Sequence, residues 1–199
     1  MSCIALFGGT FNPIHNGHIQ IINETSKLKF IDKVLVIPDN LPPHKDVGIF
    51  ADNHHRVNMC RLAIKGIDKV QIDESELLRG GKSYTYDTLR SFKQKYPNDK
   101  LYFVCGGDML VTLHQWYKAE DLFKLCSFIA FGRNGTDSNL FFESVEALKK
   151  AGADIIYVDT EITAVSSTEL RHQIINGKLD STYLPQSIVD YIIDNKVYG

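Results

Sequence analysis

Val34-Leu35-Val36-Ile37 is apolar at four consecutive positions. A strand alternates its side chains between two faces, so a run like this buries both, the signature of a parallel sheet covered on either side. Similar β-rich apolar runs occur at 4–7, 70–72, 101–105, 127–131 and 154–158, with the second strand extending over 33–37. Helical patterns lie between them at 18–29, 53–64, 85–96, 110–125 and 141–151, the fourth broken near Lys118. Alternating strand and helix predicts an α/β fold, a Rossmann-like doubly wound parallel sheet with right-handed crossovers. After Asp159 the alternation stops, and two helices at 167–176 and 185–195 read as a C-terminal helical cap. Pro185 in a first helical turn and Gly177 just past a helix end suit that reading. No repeat or linker divides the 199 residues, which are expected to form a single domain: a core over 1–160 and the helical part over 161–199.

Composition narrows the classes of function. Apolar residues make up 44% and charged residues 23%, with a formal net charge of −2, which argues against a broad nucleic-acid surface. Cys3, Cys60, Cys105 and Cys126 are far apart, form no C-x-x-C pair and lie in apolar segments, the pattern of reduced core thiols. No basic leader precedes a long apolar stretch, and no apolar run reaches the roughly 18 residues of a membrane span. The expectation is a cytoplasmic protein without nucleic-acid or membrane partners, as a monomer or a homo-oligomer.

Ligands of open α/β sheets bind beyond the carboxyl ends of the strands, which puts the loops after Phe7, Ile37, Cys105, Phe131 and Val158 on one rim. The first reads Gly8-Gly9-Thr10-Phe11-Asn12-Pro13-Ile14-His15-Asn16-Gly17-His18. Its glycines permit a sharp turn and a close approach of backbone N–H groups to a ligand. Asn16 is the expected N-cap, leaving Gly17 and His18 in a first turn whose open N–H groups favour an anion. Such a site is worth about 0.3–1 kcal/mol when exposed and up to about 2 when partly buried. His15 and His18, three apart, can project to one side as donors to phosphate. The loop alone also fits a plain strand-to-helix turn, or a His-x-x-His metal pair, although no acidic or thiol ligand stands at a suitable spacing.

The second such segment is Ser166-Ser167-Thr168-Glu169-Leu170-Arg171. Ser166 and Glu169 satisfy a capping box, which does not account for Arg171. A cation early in a helix opposes the dipole unless an anion is shared between the guanidinium and the N–H groups. Ser167, Thr168 and Arg171 would cradle a pair of phosphates, facing the histidine loop across the rim. Two anion sites on one rim suggest a triphosphate held at both ends.

With G-G-x-F-x-P-x-H-x-G-H at 8–18 and S-S-T-x-x-R at 166–171, the chain resembles the nucleotidyltransferase superfamily. Further matches are Pro42-Pro43-His44-Lys45, His55-Arg56 with Met59, Ser83 to Leu89, Gly106-Gly107-Asp108 with Leu113 and Trp116, and Leu184-Pro185 with Tyr191-Ile192. Within the superfamily this ordered set is most similar to the bacterial nicotinate mononucleotide adenylyltransferases. The resemblance implies transfer of AMP from ATP to nicotinate mononucleotide, giving nicotinate adenine dinucleotide and pyrophosphate, with Mg²⁺ carried by ATP. It implies catalytic roles for His15, His18 and Arg171. ATP would be held by Gly8, Gly9, Thr10, Phe11, Gly17, Ser166 and the two histidines, and its leaving pyrophosphate by Ser167, Thr168 and Arg171. Gly106 and Asp108 would contact ribose or base, with Arg133 near the adenine. Thr85 and Trp116 would receive the pyridine, with Tyr84, Tyr117, His44 and Lys45 nearby. Trp116 could equally be core, and Thr85 a helix cap.

Other acceptors, nicotinamide mononucleotide or phosphopantetheine, and a non-catalytic nucleotide-binding module are the alternatives. The chain departs from the family pattern at Asn12, where Asp is common, and at Gly107, Asn134 and Val165.

Overall fold

A computed structural model describes residues 1–42, 49–132, 138–178 and 181–199. In chain order the elements are β1 Cys3–Gly9, α1 Asn16–Lys27, β2 Lys33–Pro38, α2 Asn53–Ala63, β3 Val70–Ile72, α3 Ser75–Arg79, α4 Thr85–Lys95, β4 Lys100–Gly106, α5 Gly107–Val111, α6 Ala119–Leu125, β5 Ser127–Phe131, α7 Ser138–Lys150, β6 Ile155–Val158, α8 Ser167–Ile175 and α9 Gln186–Asp194. The six strands form one parallel sheet in the order β3-β2-β1-β4-β5-β6. This is the doubly wound α/β arrangement, with the order reversing between β1 and β4.

The apolar runs do what their continuity predicts. Ala5, Phe7, Val34, Val36, Tyr102, Val104, Ile129 and Phe131 face one side of the sheet, with Ile22, Met59, Leu170, Ile188 and Ile192 in the same core. Ile4, Leu6, Leu35, Ile37, Leu101, Phe103, Phe128 and Ala130 face the other, with Leu89, Phe92, Leu122, Phe141 and Leu148. Each large side chain so buried contributes about 1.5–3 kcal/mol. The C-terminal helices α8 and α9 thus complete one face of the sheet, and α9 packs on α2.

Three local details differ from the sequence reading. The stretch 110–125 breaks as expected, but into α5, a 3-10 turn at Leu113–Gln115 and α6, with Lys118 left-handed at φ +55° immediately before α6. The short α3 was not anticipated, being one turn between a three-residue strand and a loop. Pro185 is the N-cap of α9 rather than its first helical residue. Gly177, at φ +64°, follows α8 as expected. Cys60, Cys105 and Cys126 are buried free thiols and Cys3 is half-buried. Among the described residues no helix is long and apolar enough to cross a membrane.

Candidate active site

The carboxyl ends of β1 and β4 open into a cavity of about 460 Å³, within the usual range for a small-molecule site. At its centre is the turn from β1 into α1. The expected N-cap, Asn16, is instead the first residue of α1, and its side chain donates to the Thr182 carbonyl (2.8 Å). His15 is the cap: its Nδ1 accepts from His18 N–H (3.4 Å), while His15 N–H donates to His18 Nδ1 (3.3 Å). The two imidazoles reproduce the reciprocal bonding of a capping box, and their rings stack with centroids 3.6 Å apart. An imidazole that is neutral and accepts at Nδ1 carries its proton on Nε2, so capping fixes which edge of each ring can donate. Phe11 packs edge-on against His18 at 5.1 Å. Both histidines line the cavity, with Gly8, Gly9, Thr10, Phe11 and Gly17.

Ser166 caps α8, its Oγ accepting from Glu169 N–H (3.4 Å). The α8 loop does not face the histidine loop across a gap; it is bonded to it. Ser167 Oγ donates to the Pro13 carbonyl (3.0 Å), and Arg171 donates from Nη1 to the Asn12 carbonyl (2.7 Å) and from Nη2 to Thr168 Oγ1 (3.1 Å). A guanidinium has five donors and these contacts use two. Partial burial pulls the Arg171 pKa below its ordinary value. Gln20 Oε1 accepts from Thr163 N–H (2.8 Å), and a Cβ on Gly17 would lie 2.7 Å from the Thr163 carbonyl oxygen. The start of α1 therefore touches the backbone leading into α8, an approach only glycine allows.

Asn12 has its own explanation. It is buried, donates to the Ile49 carbonyl (3.1 Å), and accepts from Ala51 N–H (3.1 Å) and Tyr198 Oη (2.9 Å). A carboxylate could not make the first of these bonds.

At the β4 end, Gly106 caps α5 and Asp108 sits in its first turn, the Asp108 Oδ1 2.9 Å from where a Gly106 Cβ would be. Both line the cavity. Its other end is bounded by Tyr84, Thr85, Trp116 and Tyr117. Tyr84 is the N-cap of α4, so Thr85 is the first helical residue rather than the cap. Trp116 meets both expectations: one side contacts Phe103 of the core (centroids 5.8 Å) and it lines the cavity. Tyr117, half exposed, lies 4.8 Å from Tyr84 and 6.0 Å from Tyr86, with the Lys118 ammonium 4.4 Å from the Tyr86 ring centroid. His44, Lys45 and Arg133 lie outside the described residues.

Sequence reasoning gave no role to Asp39, Glu76 or Ser83, which also line the cavity. Asp39 follows the last residue of β2, so the carboxyl-end rule could have found it. Glu76 is buried, accepts from Thr88 and Ser83, and burial outweighs those bonds to raise its carboxyl pKa.

A family model described as cytidylyltransferase-like matches residues 6–173. A protein of Listeria monocytogenes named probable nicotinate-nucleotide adenylyltransferase is 37% identical over 196 residues, covering 98% of this chain and 97% of its own. A similarly named protein of Lactococcus lactis is 36% identical over 195 residues, covering 98% and 94%. The structure of Plasmodium falciparum nicotinic acid mononucleotide adenylyltransferase complexed with NaAD superposes with a TM-score of 0.79 at 24% identity, over 100% of this chain and 98% of that one, a likeness of fold. The chain belongs to the cytidylyltransferase-like family and, within it, to the nicotinate-nucleotide adenylyltransferases.

Proposed function

We propose that the protein transfers AMP from ATP to nicotinate mononucleotide, releasing pyrophosphate and forming nicotinate adenine dinucleotide, a step of NAD biosynthesis. The observation that carries this reading is the joining of two helix starts: Ser167 and Arg171 of α8 bond to the carbonyls of Pro13 and Asn12, just ahead of the His15 cap of α1. Both open onto one cavity. N–H groups, imidazole donors and a guanidinium converge there, a donor set for phosphate oxygens.

The acceptor phosphate is ionised at neutral pH and needs no base. One of its oxygens forms a bond to the α-phosphorus of ATP, the bond from that phosphorus to the α,β-bridging oxygen breaks, and pyrophosphate leaves. Charge accumulates on the α-phosphoryl oxygens and the leaving group. His15 and His18 would meet the first and Arg171, Ser167 and Thr168 the second, so catalysis is positioning plus electrostatic stabilisation. Magnesium belongs to the substrate in this reading, arriving as the ATP complex, and no step above is assigned to it.

The start of α4 at Thr85 offers N–H groups to the pyridine carboxylate, and Trp116 offers a flat apolar wall. His44, Lys45 and Arg133 are kept as candidate substrate contacts on the family likeness. The buried thiols suit a reducing cytoplasm. Incubation with ATP and nicotinate mononucleotide, followed by mass analysis, should give the dinucleotide in step with pyrophosphate; unreacted acceptor alongside ATP hydrolysed to other products would overturn the reading.

A further inference from the structure

Arg56 is fully buried in α2, outside the residues that line the cavity, yet its guanidinium is directed at the phosphate loop. Nη1 donates to the Thr10 carbonyl (2.7 Å) and approaches Asp39 Oδ1 (3.4 Å), while Nη2 donates to the Asp39 carbonyl (2.6 Å) and Asn53 Oδ1 (2.6 Å). The Phe50 ring covers it at 4.6 Å. Asp39 closes the circuit, accepting from Thr10 Oγ1 at Oδ2 (2.8 Å) and donating its N–H to the Gly9 carbonyl (3.0 Å). Among the described residues Arg56 Nε has no partner. A buried ion pair is a costly way to stabilise a fold, and an apolar side chain would fill the space with no desolvation penalty. What a guanidinium adds is direction.

The direction matters because of the next residue. Phe11 has φ +47°, the left-handed region that a bulky side chain avoids, and persists there only where its surroundings over-determine it. In a trans peptide the carbonyl and the following N–H point opposite ways. With the Thr10 carbonyl drawn to Arg56, the Phe11 N–H points to the opposite side of that peptide, away from Arg56, and both Thr10 and Phe11 line the cavity.

We propose that Arg56 is the positioning residue of the phosphate loop, holding the Thr10–Phe11 peptide so that its N–H is presented to a phosphate of ATP. It acts through Thr10 and Asp39 and does not touch substrate. A hydrogen-bonded path continues from Arg56 through Asn53 to Asn40 (Asn53 Nδ2 to Asn40 Oδ1, 3.1 Å), whose N–H donates to Ser83 Oγ (2.9 Å) beside the start of α4. Asn53 is therefore a second handle on the guanidinium, outside the cavity.

This rests on the function proposed above for the identity of the nucleotide, so the test measures binding apart from turnover. The probe is α,β-methylene-ATP, titrated calorimetrically into wild type, Arg56→Met, Arg56→Lys and Asn53→Ala, with thermal unfolding recorded for each. Expected is a loss of affinity of about tenfold or more in Arg56→Met, partial recovery in Arg56→Lys and a several-fold loss in Asn53→Ala. A purely structural Arg56 would lower the unfolding temperature and leave the affinity of the folded protein within about twofold of wild type; that result overturns the proposal. If Arg56→Met does not fold, unchanged affinity in folded Asn53→Ala overturns it equally. Wild type that binds the analogue but makes no dinucleotide would refute the functional reading while leaving this test intact.

Discussion

Arg171 Nη1 lies 2.7 Å from the Asn12 carbonyl oxygen, joining residues 159 positions apart. Together with the Ser167–Pro13 bond, this contact makes one unit of two loops that the chain presents at opposite ends of its sequence. A planar guanidinium holds the Asn12 carbonyl and Thr168 from two separate nitrogens and keeps further donors for an anion, a fork that the single nitrogen of an ammonium does not reproduce. Arg171→Lys should therefore lower kcat/KM for ATP by about 10² or more and weaken pyrophosphate inhibition in parallel. Initial rates with pyrophosphate as product inhibitor check both, and unchanged inhibition would count against the shared cradle.

His18 serves the helix as well as the reaction, and the two roles separate. At the third helical position Gln can reach back to the cap N–H as His18 Nδ1 does now. His18→Gln should leave thermal stability nearly unchanged while kcat falls about 10²–10³-fold, the usual loss for one transition-state donor. His18→Ala should lose the same activity and, in addition, about 0.5–1.5 kcal/mol of stability with the reciprocal bond from the His15 N–H. Near-wild-type kcat in His18→Gln would remove His18 from the chemistry.

Gly17→Ala tests the contact between α1 and the segment leading into α8. The new Cβ would lie 2.7 Å from the Thr163 carbonyl oxygen, so backbone must move. A loss of about 1–3 kcal/mol is expected, as for overpacking of a close-packed core. Because the displaced segment carries Ser166 and Ser167, affinity for ATP should fall too. Chemical denaturation and ATP titration measure the two effects; full affinity with lost stability would show that the contact serves the fold alone.

Glu76 predicts a pH dependence. Burial raises its carboxyl above the ordinary 4.5, so the folded state holds this proton more tightly than the unfolded chain. Stability from this group is therefore fully present below the unfolded value and declines as pH rises through the raised folded value. Glu76→Gln should flatten the fall in unfolding free energy on the alkaline side of pH 4.5. An identical pH profile for the two proteins would contradict the assignment.

Much of this site could be read from residue order. Continuous apolar runs identify strands buried on both faces, and the carboxyl-end rule then gathers the loops at 8–18, 106–108 and 166–171 around one cavity, whereas the start of α4 at 84–85 is indicated only by the family resemblance. What remained hidden depends on three-dimensional neighbours. Asn16 is a better cap by residue type than His15, yet stacking with His18 lets an imidazole pair take the cap and frees Asn16 for Thr182. Arg56 belongs to a helix whose polar residues suggest a surface; only the approach of the β1 and β2 ends encloses it. Glu76 lies on one short turn with no periodicity to reveal which side is buried. The bond between the two anion loops joins a side chain to carbonyl oxygens, a partnership that residue spacing does not encode.

The most direct measurement is pyrophosphate release from ATP with nicotinate mononucleotide, nicotinamide mononucleotide and phosphopantetheine offered in turn. The start of α4 at Thr85, in the same cavity as Trp116, predicts that the nicotinate acceptor is preferred over the amide by about 10² or more in kcat/KM, because the negative carboxylate gains far more than a neutral amide from the helix N–H groups. Phosphopantetheine should give no release above background. Equal kcat/KM for the acid and the amide, or release driven by phosphopantetheine, would contradict the account.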